Sequence, residues 1–317
     1  MKKIFSLIFL LLVIANSAFA YQIQPAGEIS VPGDFLLGPG KKEFSVARGQ
    51  TVIDTIEVIN NSGARVSFSV SAEDISGTND LSQSFKMLGP GSGPYSIKDY
   101  IFPETPSFSL DNGQKIILPI EIKIPYDIST GGLYGAVIVQ TKETQDQPEN
   151  NSNINSGTKI IGRLAQLVFI KIQGLQKEDG ALKEFFLADT GKKNNISFLT
   201  IFENKGNVHL NPYGKIEIRD CLGKKIKTLP IDPYFVLPNS KRERNFELGD
   251  SLGFGKYSAF VYLNRGYGDI VDTKYVNFWI VDQRAKVYFG IIILLVVIMI
   301  FGKSVNKSIF KKQKKKI

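Results

Sequence analysis

Between residues 41 and 281 the apolar positions recur every second residue or in short unbroken runs. Each run stops at a cluster of Gly, Asn, Asp or Pro. This period predicts strands, because successive side chains of a strand point to opposite faces. In 65-RVSFSVSAED-74, Val66, Phe68 and Val70 share one face and serines the other, the pattern of a half-buried strand. The stretch 51-TVIDTIEVINNSG-63 alternates less cleanly. Val52, Ile56 and Val58 share a face that Asp54 interrupts, and a polar turn runs from Asn60 to Gly63. Residues 107–125 place an Asp-Asn-Gly turn between two strands. In the second of these, Pro119 cannot donate a ladder hydrogen bond, so an edge position or a bulge is expected. The runs 131-GGLYGAVIVQT-141 and 163-RLAQLVFIKIQG-174 are almost continuously apolar, as at the centre of a sandwich.

A second set of short strands follows Gly174: 182–189, 195–206, 215–220, 225–232, 241–249, 255–263 and 273–281. Their regular spacing predicts an immunoglobulin-like sandwich. The expected fold is therefore all-β, with two immunoglobulin-like β-sandwich domains at 41–175 and 176–283. An N-terminal extension covers 21–40. The first domain carries two long loops, 76–106 and 142–159. The second loop is polar throughout except Ile154, and is placed inside the domain because the strand at 163–172 needs a sheet to complete. Both domains show a strand ending in an Asn-x-Gly-type turn, at 59–63 and 203–207, which suggests related topology.

The ends of the chain set its expected location. MKKIFSLIFLLLVIANSAFA has a basic start, an apolar run and a small-x-small ending. It reads as a signal peptide over 1–20, cleaved between Ala20 and Tyr21. Residues 287–302 are uncharged and read as one C-terminal transmembrane helix. Seven lysines and no acid follow in 303–317, which predicts a basic cytoplasmic tail. The expected location is the plasma membrane, single-pass, with the β domains outside. Two of the 39 basic residues lie in the signal and seven in the tail, leaving 30 against 30 acidic residues between them. The exported part is neutral, so the overall charge of +9 reflects topology and no nucleic-acid partner is expected.

Little chemistry is visible. His209 is the only histidine and Cys221 the only cysteine, too few ligands for zinc. No nucleophile elbow accompanies them, and Cys221 reads as a semi-buried hairpin residue. The stretch 74–85 begins like a calcium loop but lacks its glycine and its closing glutamate. No catalytic residue, metal or other cofactor is expected, and the chain is read as not an enzyme. His209, in 203-ENKGNVHLNPYG-214, reads as a turn or strand-end residue with no chemical partners. The loop 76–106 is rich in Gly, Pro and aromatics, and Tyr95, Tyr100 and Phe102 are its candidate binding residues.

Three stretches carry a family resemblance: 43-EFSVARGQTVIDTIEVINNSG-63, 124-IPYDISTGGLYGAVIV-139, and 202-FENKGNVHLNPYGKIEIRD-220 with 236-VLPNSKRERNFE-247. With the order of segments, they resemble the WxL protein-interacting family of bacterial surface proteins. The resemblance implies peptidoglycan association for the first sandwich and, for the second, partner surface proteins bearing Trp-x-Leu motifs. The expected function is a non-enzymatic cell-surface binding or scaffold protein, holding a cell-wall polymer or another exported surface protein. The alternative is a membrane-tethered assembly factor or chaperone for surface-layer or pilus subunits.

Overall fold

The computed structural model describes residues 21–27, 35–142, 161–189, 196–249, 252–280, 291 and 293–299. Among these residues eleven strands build the first domain: β1 (Gln22–Pro25), β2 (Phe35–Gly38), β3 (Lys41–Val46), β4 (Thr51–Asn60), β5 (Val66–Ser76), β6 (Lys86–Met87), β7 (Ile101–Pro103), β8 (Ser107–Leu110), β9 (Gln114–Lys123), β10 (Gly131–Thr141) and β11 (Arg163–Ile172). One sheet runs β1-β9-β4-β2 with β7 also on β9; the other runs β3-β11-β10-β5, continued by β6 and β8. The alternating residues of both sheets meet in a core that includes Ile56, Val58, Phe68, Leu118, Ile120, Val137, Val139 and Ile170. The first strand region is split. β2 pairs antiparallel with β4, and β3 pairs parallel with β11 in the opposite sheet.

Among the described residues seven strands build the second domain: β12 (Gly180–Asp189), β13 (Ser197–Asn204), β14 (Tyr213–Asp220), β15 (Lys225–Ile231), β16 (Ser240–Glu247), β17 (Gly255–Asn264) and β18 (Val271–Ile280). They form sheets β12-β13-β16 and β15-β14-β17-β18. Strands one, two and five against four, three, six and seven is the order of an immunoglobulin-like sandwich. Phe198, Phe202, Ile216, Val261 and Phe278 lie in its core.

Three expectations change. Residues 21–40 are not a separate extension: β1 and β2 complete a sheet of the first sandwich. Pro119 is not on an edge strand, because β9 pairs β4 on one side and β1 and β7 on the other. Its carbonyl accepts the Glu104 amide, so the missing N–H faces the same side, at the gap between β1 and β7. The Asp-Asn-Gly turn closes no hairpin. β8 pairs β5 and β9 pairs β4, so the turn carries the chain from one sheet to the other. The expected anchor 287–302 is described only at Ile291 and 293–299, which are helical. Among the described residues no helix is long and apolar enough to cross a membrane. The expected signal, the tail and nearly all of the 142–159 loop lie outside the described residues.

β10 explains its own composition. Leu133, Val137 and Val139 point into the first core, while Tyr134, Ala136 and Ile138 are buried on the opposite face. That second face packs with Ile75, Phe169 and Leu237, flanked by Phe85, Met87, Tyr95 and Phe235. Leu237 and Phe235 belong to the second domain, so the two domains share a third apolar cluster. Covering both faces of β10 requires an unbroken apolar run.

Candidate functional site: the interdomain junction and an open sheet face

The junction is built on two turns. In the second domain, buried Asn204 ends β13, donates to the carbonyls of Val208 and Val236 (both 2.8 Å), and accepts the Gly206 amide (2.8 Å). This fixes the next segment of chain. The Asn207 carbonyl accepts the Gly132 amide at 2.8 Å, and its side chain donates to Thr130 O at 3.2 Å. The His209 amide donates to the Tyr134 hydroxyl at 2.6 Å, which lies 3.3 Å from His209 Nδ1. His209 Nε2 is 3.4 Å from Glu43 Oε1. The imidazole also meets the rings of Tyr134 and Phe169 edge-on, at 5.6 and 5.1 Å. His209 thus has partners, and all of these come from the other domain. The hydrogen bond from His209, with Lys41 beside it, holds the Glu43 carboxyl down to about 2. Burial pushes the Tyr134 phenol well above its ordinary range. Tyr134 is 1 % exposed, so its hydroxyl is spent on the His209 contact inside the junction. Its chemistry is that of a joint.

The loop 76–106 serves the same joint. Buried Asp74 accepts the amides of Ile97 (2.7 Å) and Lys98 (2.8 Å), folding the loop back on β5. Tyr95 packs on Tyr134, and its hydroxyl lies 3.2 Å from Asn239 Nδ2 of the second domain. Tyr100 packs against the first core. Phe102 is exposed, with Lys123 Nζ 5.2 Å from its ring centre. The three candidate binding residues therefore sit in three different settings. Tyr21, at the expected cleavage point, is exposed.

An open surface lies elsewhere, on the outer face of β14, β17 and β18. Phe260 and Tyr275 stack across the strands at 5.6 Å. Arg219 lies over Phe260 at 4.9 Å and Lys215 over Tyr262 at 5.6 Å. Glu217 accepts from both cations, at 2.8 Å each. These contacts, Lys215 first and then Arg219, hold its carboxyl down to about 2. Ser258 donates to Asn277 at 2.6 Å. Tyr275 and Trp279 at the sheet edge are 64 % and 60 % exposed. A shallow depression of about 260 Å³ opens beside Arg219, Lys256, Phe260 and Asn277. The face is flat, aromatic and pre-ordered by its own ion pairs, which suits non-covalent binding.

Sequence reasoning missed this face. The signal was available: 255-GKYSAFVYL-263 carries large residues at both odd and even positions, so one aromatic row must point away from the core. Cys221 is exposed rather than semi-buried, because the β14–β15 turn projects past the sheet.

No family model matches the chain, and no curated protein matches it. Among solved structures, the class 5 fimbriae chaperone CfaA is 12% identical, with a TM-score of 0.39 covering 78% of this chain and 100% of that one. The E. coli chaperone DraB is 14% identical, with a TM-score of 0.36 over 78% and 98% of the two chains. Similarities this low carry no argument about activity, and the sandwich architecture rests on the strand order above.

Proposed function

We propose that this chain is an exported, non-enzymatic binding protein. A single C-terminal helix tethers it, and it holds an exported surface protein or a cell-wall polymer beside the plasma membrane. The observation that carries the reading is the open face of Lys215, Arg219, Phe260, Tyr262 and Tyr275 on a sandwich joined through a buried junction to a second one. Rings and cations on a stiff sheet offer contact area at low entropic cost. The helical residues 291 and 293–299 support the tether, since all are apolar and 43–59 % exposed. The resemblance to the WxL protein-interacting family agrees with this reading. A photo-crosslinking residue at Tyr275 should capture wall fragments or an exported protein, and one at Phe186 on the other sheet should not. Equal labelling at both would sink the assignment of this face. Removing residues 287–317 should release the chain from the membrane; retention would sink the tether.

A second reading, a membrane-tethered assembly factor for surface subunits, is favoured by β18. Among the described residues this ten-residue strand pairs only with β17; β12 flanks its start, where the Leu182 amide donates to Asp272, and β18 exposes Val271, Tyr275 and Trp279. An edge strand whose far part has no ladder partner is a template for adding a strand from another protein. Hydrogen exchange would separate the readings: a bound subunit that adds a strand protects β18 amides, whereas one that docks on rings leaves them unchanged.

A further inference from the structure

The end of the second sandwich away from the junction has its own chemistry. Asp220 pairs with Tyr257 and Gly255 with Ile280, which brings the β14–β15 turn, the approach to β17 and the end of β18 together. Leu222 is 89 % exposed there, Phe254 62 % and Trp279 60 %. Lys224, Lys225 and Lys256 are exposed among them. The turn is rigid, because Asp220 Oδ1 accepts the amides of Leu222 and Lys224, both at 2.9 Å. Asp189 and Glu247, at the same end, belong to the other sheet. The lysines and the large apolar groups thus share one side. The chain leaves from this end, and residues 281–286 separate Ile280 from the first residue of the expected span, Val287. Six extended residues reach at most about 20 Å.

We infer that this end rests on the bilayer surface, with Leu222, Phe254 and Trp279 among the lipid headgroups and Lys224, Lys225 and Lys256 against anionic phosphates. The inference rests on the tethered reading above. Tryptophan and leucine settle at the membrane interface, and lysines beside them are drawn to anionic lipid. No single contact here would hold a soluble protein. A span within reach supplies the second signal, and the rim then stops the domain swinging on its linker.

Trp279 is the only tryptophan in the chain, so its emission reports this end alone. The full chain would be reconstituted in phosphatidylglycerol vesicles with and without brominated acyl chains, with flotation measured in each sample. Brominated lipid should quench Trp279 about twofold, and L222E/F254E should remove most of that quenching. Leu222 and Phe254 are mostly exposed, so the variant keeps its core. Quenching should weaken in phosphatidylcholine vesicles. A chain that fails to float overturns both the tether and the rim. A floating chain whose Trp279 is quenched by acrylamide but not by brominated lipid overturns the rim alone. So does quenching that L222E/F254E leaves unchanged, or that is equal in the two lipids. A blue shift that grows with protein density but ignores brominated lipid would assign this end to a second copy instead.

Discussion

The two sandwiches carry the same corner and use it differently. In the first, buried Asn60 ends β4, donates to Ala64 O (2.7 Å) and Leu110 O (2.9 Å), and accepts the Ser62 amide (3.1 Å). In the second, Asn204 ends β13 and makes the equivalent three bonds to Val208, Val236 and Gly206. Each asparagine ties its own turn to the chain approaching the fifth main strand, β9 or β16. The first corner lies at the end of the sandwich that holds Thr141, away from the junction, and its turn is exposed. The second corner is the junction. The third to fifth residues after each asparagine decide the difference: Gly63-Ala64-Arg65 is exposed to water, whereas Asn207 and His209 bond to the other domain. A local motif can be repeated faithfully while its tertiary role is reassigned by three residues.

The largest expected effect tests this contrast at the asparagines. Asn204→Ala strands the buried Val208 carbonyl and the Gly206 amide with no access to water, while the Val236 carbonyl keeps the Leu210 amide, and should cost roughly 3 kcal/mol in urea unfolding. Asn60→Ala removes the same bonds, but Ala64 is exposed and its carbonyl can hydrate, so about 2 kcal/mol is expected. Equal losses would mean that the junction adds nothing to the corner. The glycines, three residues after Asn60 and two after Asn204, sharpen it further. Gly63 has φ +85° with open space around it, whereas a Cβ on Gly206 would stand 2.3 Å from the Lys177 carbonyl. Gly206→Ala should therefore cost about 3 kcal/mol through the clash. Gly63→Ala should cost about 1 kcal/mol through its dihedral, and asparagine should rescue only Gly63. If Gly206→Asn also restored stability, the packing account would be wrong.

These positions also mark what sequence could deliver. Alternation at Val66, Phe68 and Val70, and the Asn-x-Gly turns, are local signals, and the strands they predict are present. The unbroken run of β10 was legible as buried, but its second cover is another domain, which no period encodes. His209 looked partnerless because Tyr134 is 75 residues away. Tyr95 and Tyr100 looked like contacts for a ligand because a loop's aromatics do not announce whether they face solvent or their own protein. β1 and β2, four residues each, are too short for a period to stand out.

A smaller effect is expected from removing one oxygen at the joint. Tyr134→Phe leaves the His209 amide without its 2.6 Å acceptor, while the ring contacts stay. About 1.5 kcal/mol should be lost. Because the lost bond crosses the domains, small-angle scattering should show a broader range of interdomain separations, whereas Asn60→Ala should leave scattering unchanged. The reverse outcome would mean that the ring stack alone sets the geometry.

The smallest effect is a pH dependence, which separates the two corners without any mutation of them. Glu43 is depressed to about 2 from 4.5, through the hydrogen bond from His209 and the neighbouring Lys41. A carboxyl lowered on folding adds stability above its unfolded value, and that stability drains as pH falls from about 4.5 through 2. The Glu43 side chain is 37 % exposed, so solvent screening reduces the contribution to about 1 kcal/mol or less. Acid should therefore loosen the junction before it affects the Asn60 corner, where the hydrogen bonds of the asparagine itself involve no carboxylate. In a pH series from 5 to about 2, hydrogen exchange at the His209 amide should accelerate ahead of the Ser62 amide, and Glu43→Gln should flatten the difference. If the difference survived Glu43→Gln, the acid sensitivity of the junction would lie in another group, and the His209–Glu43 contact would contribute packing rather than charge.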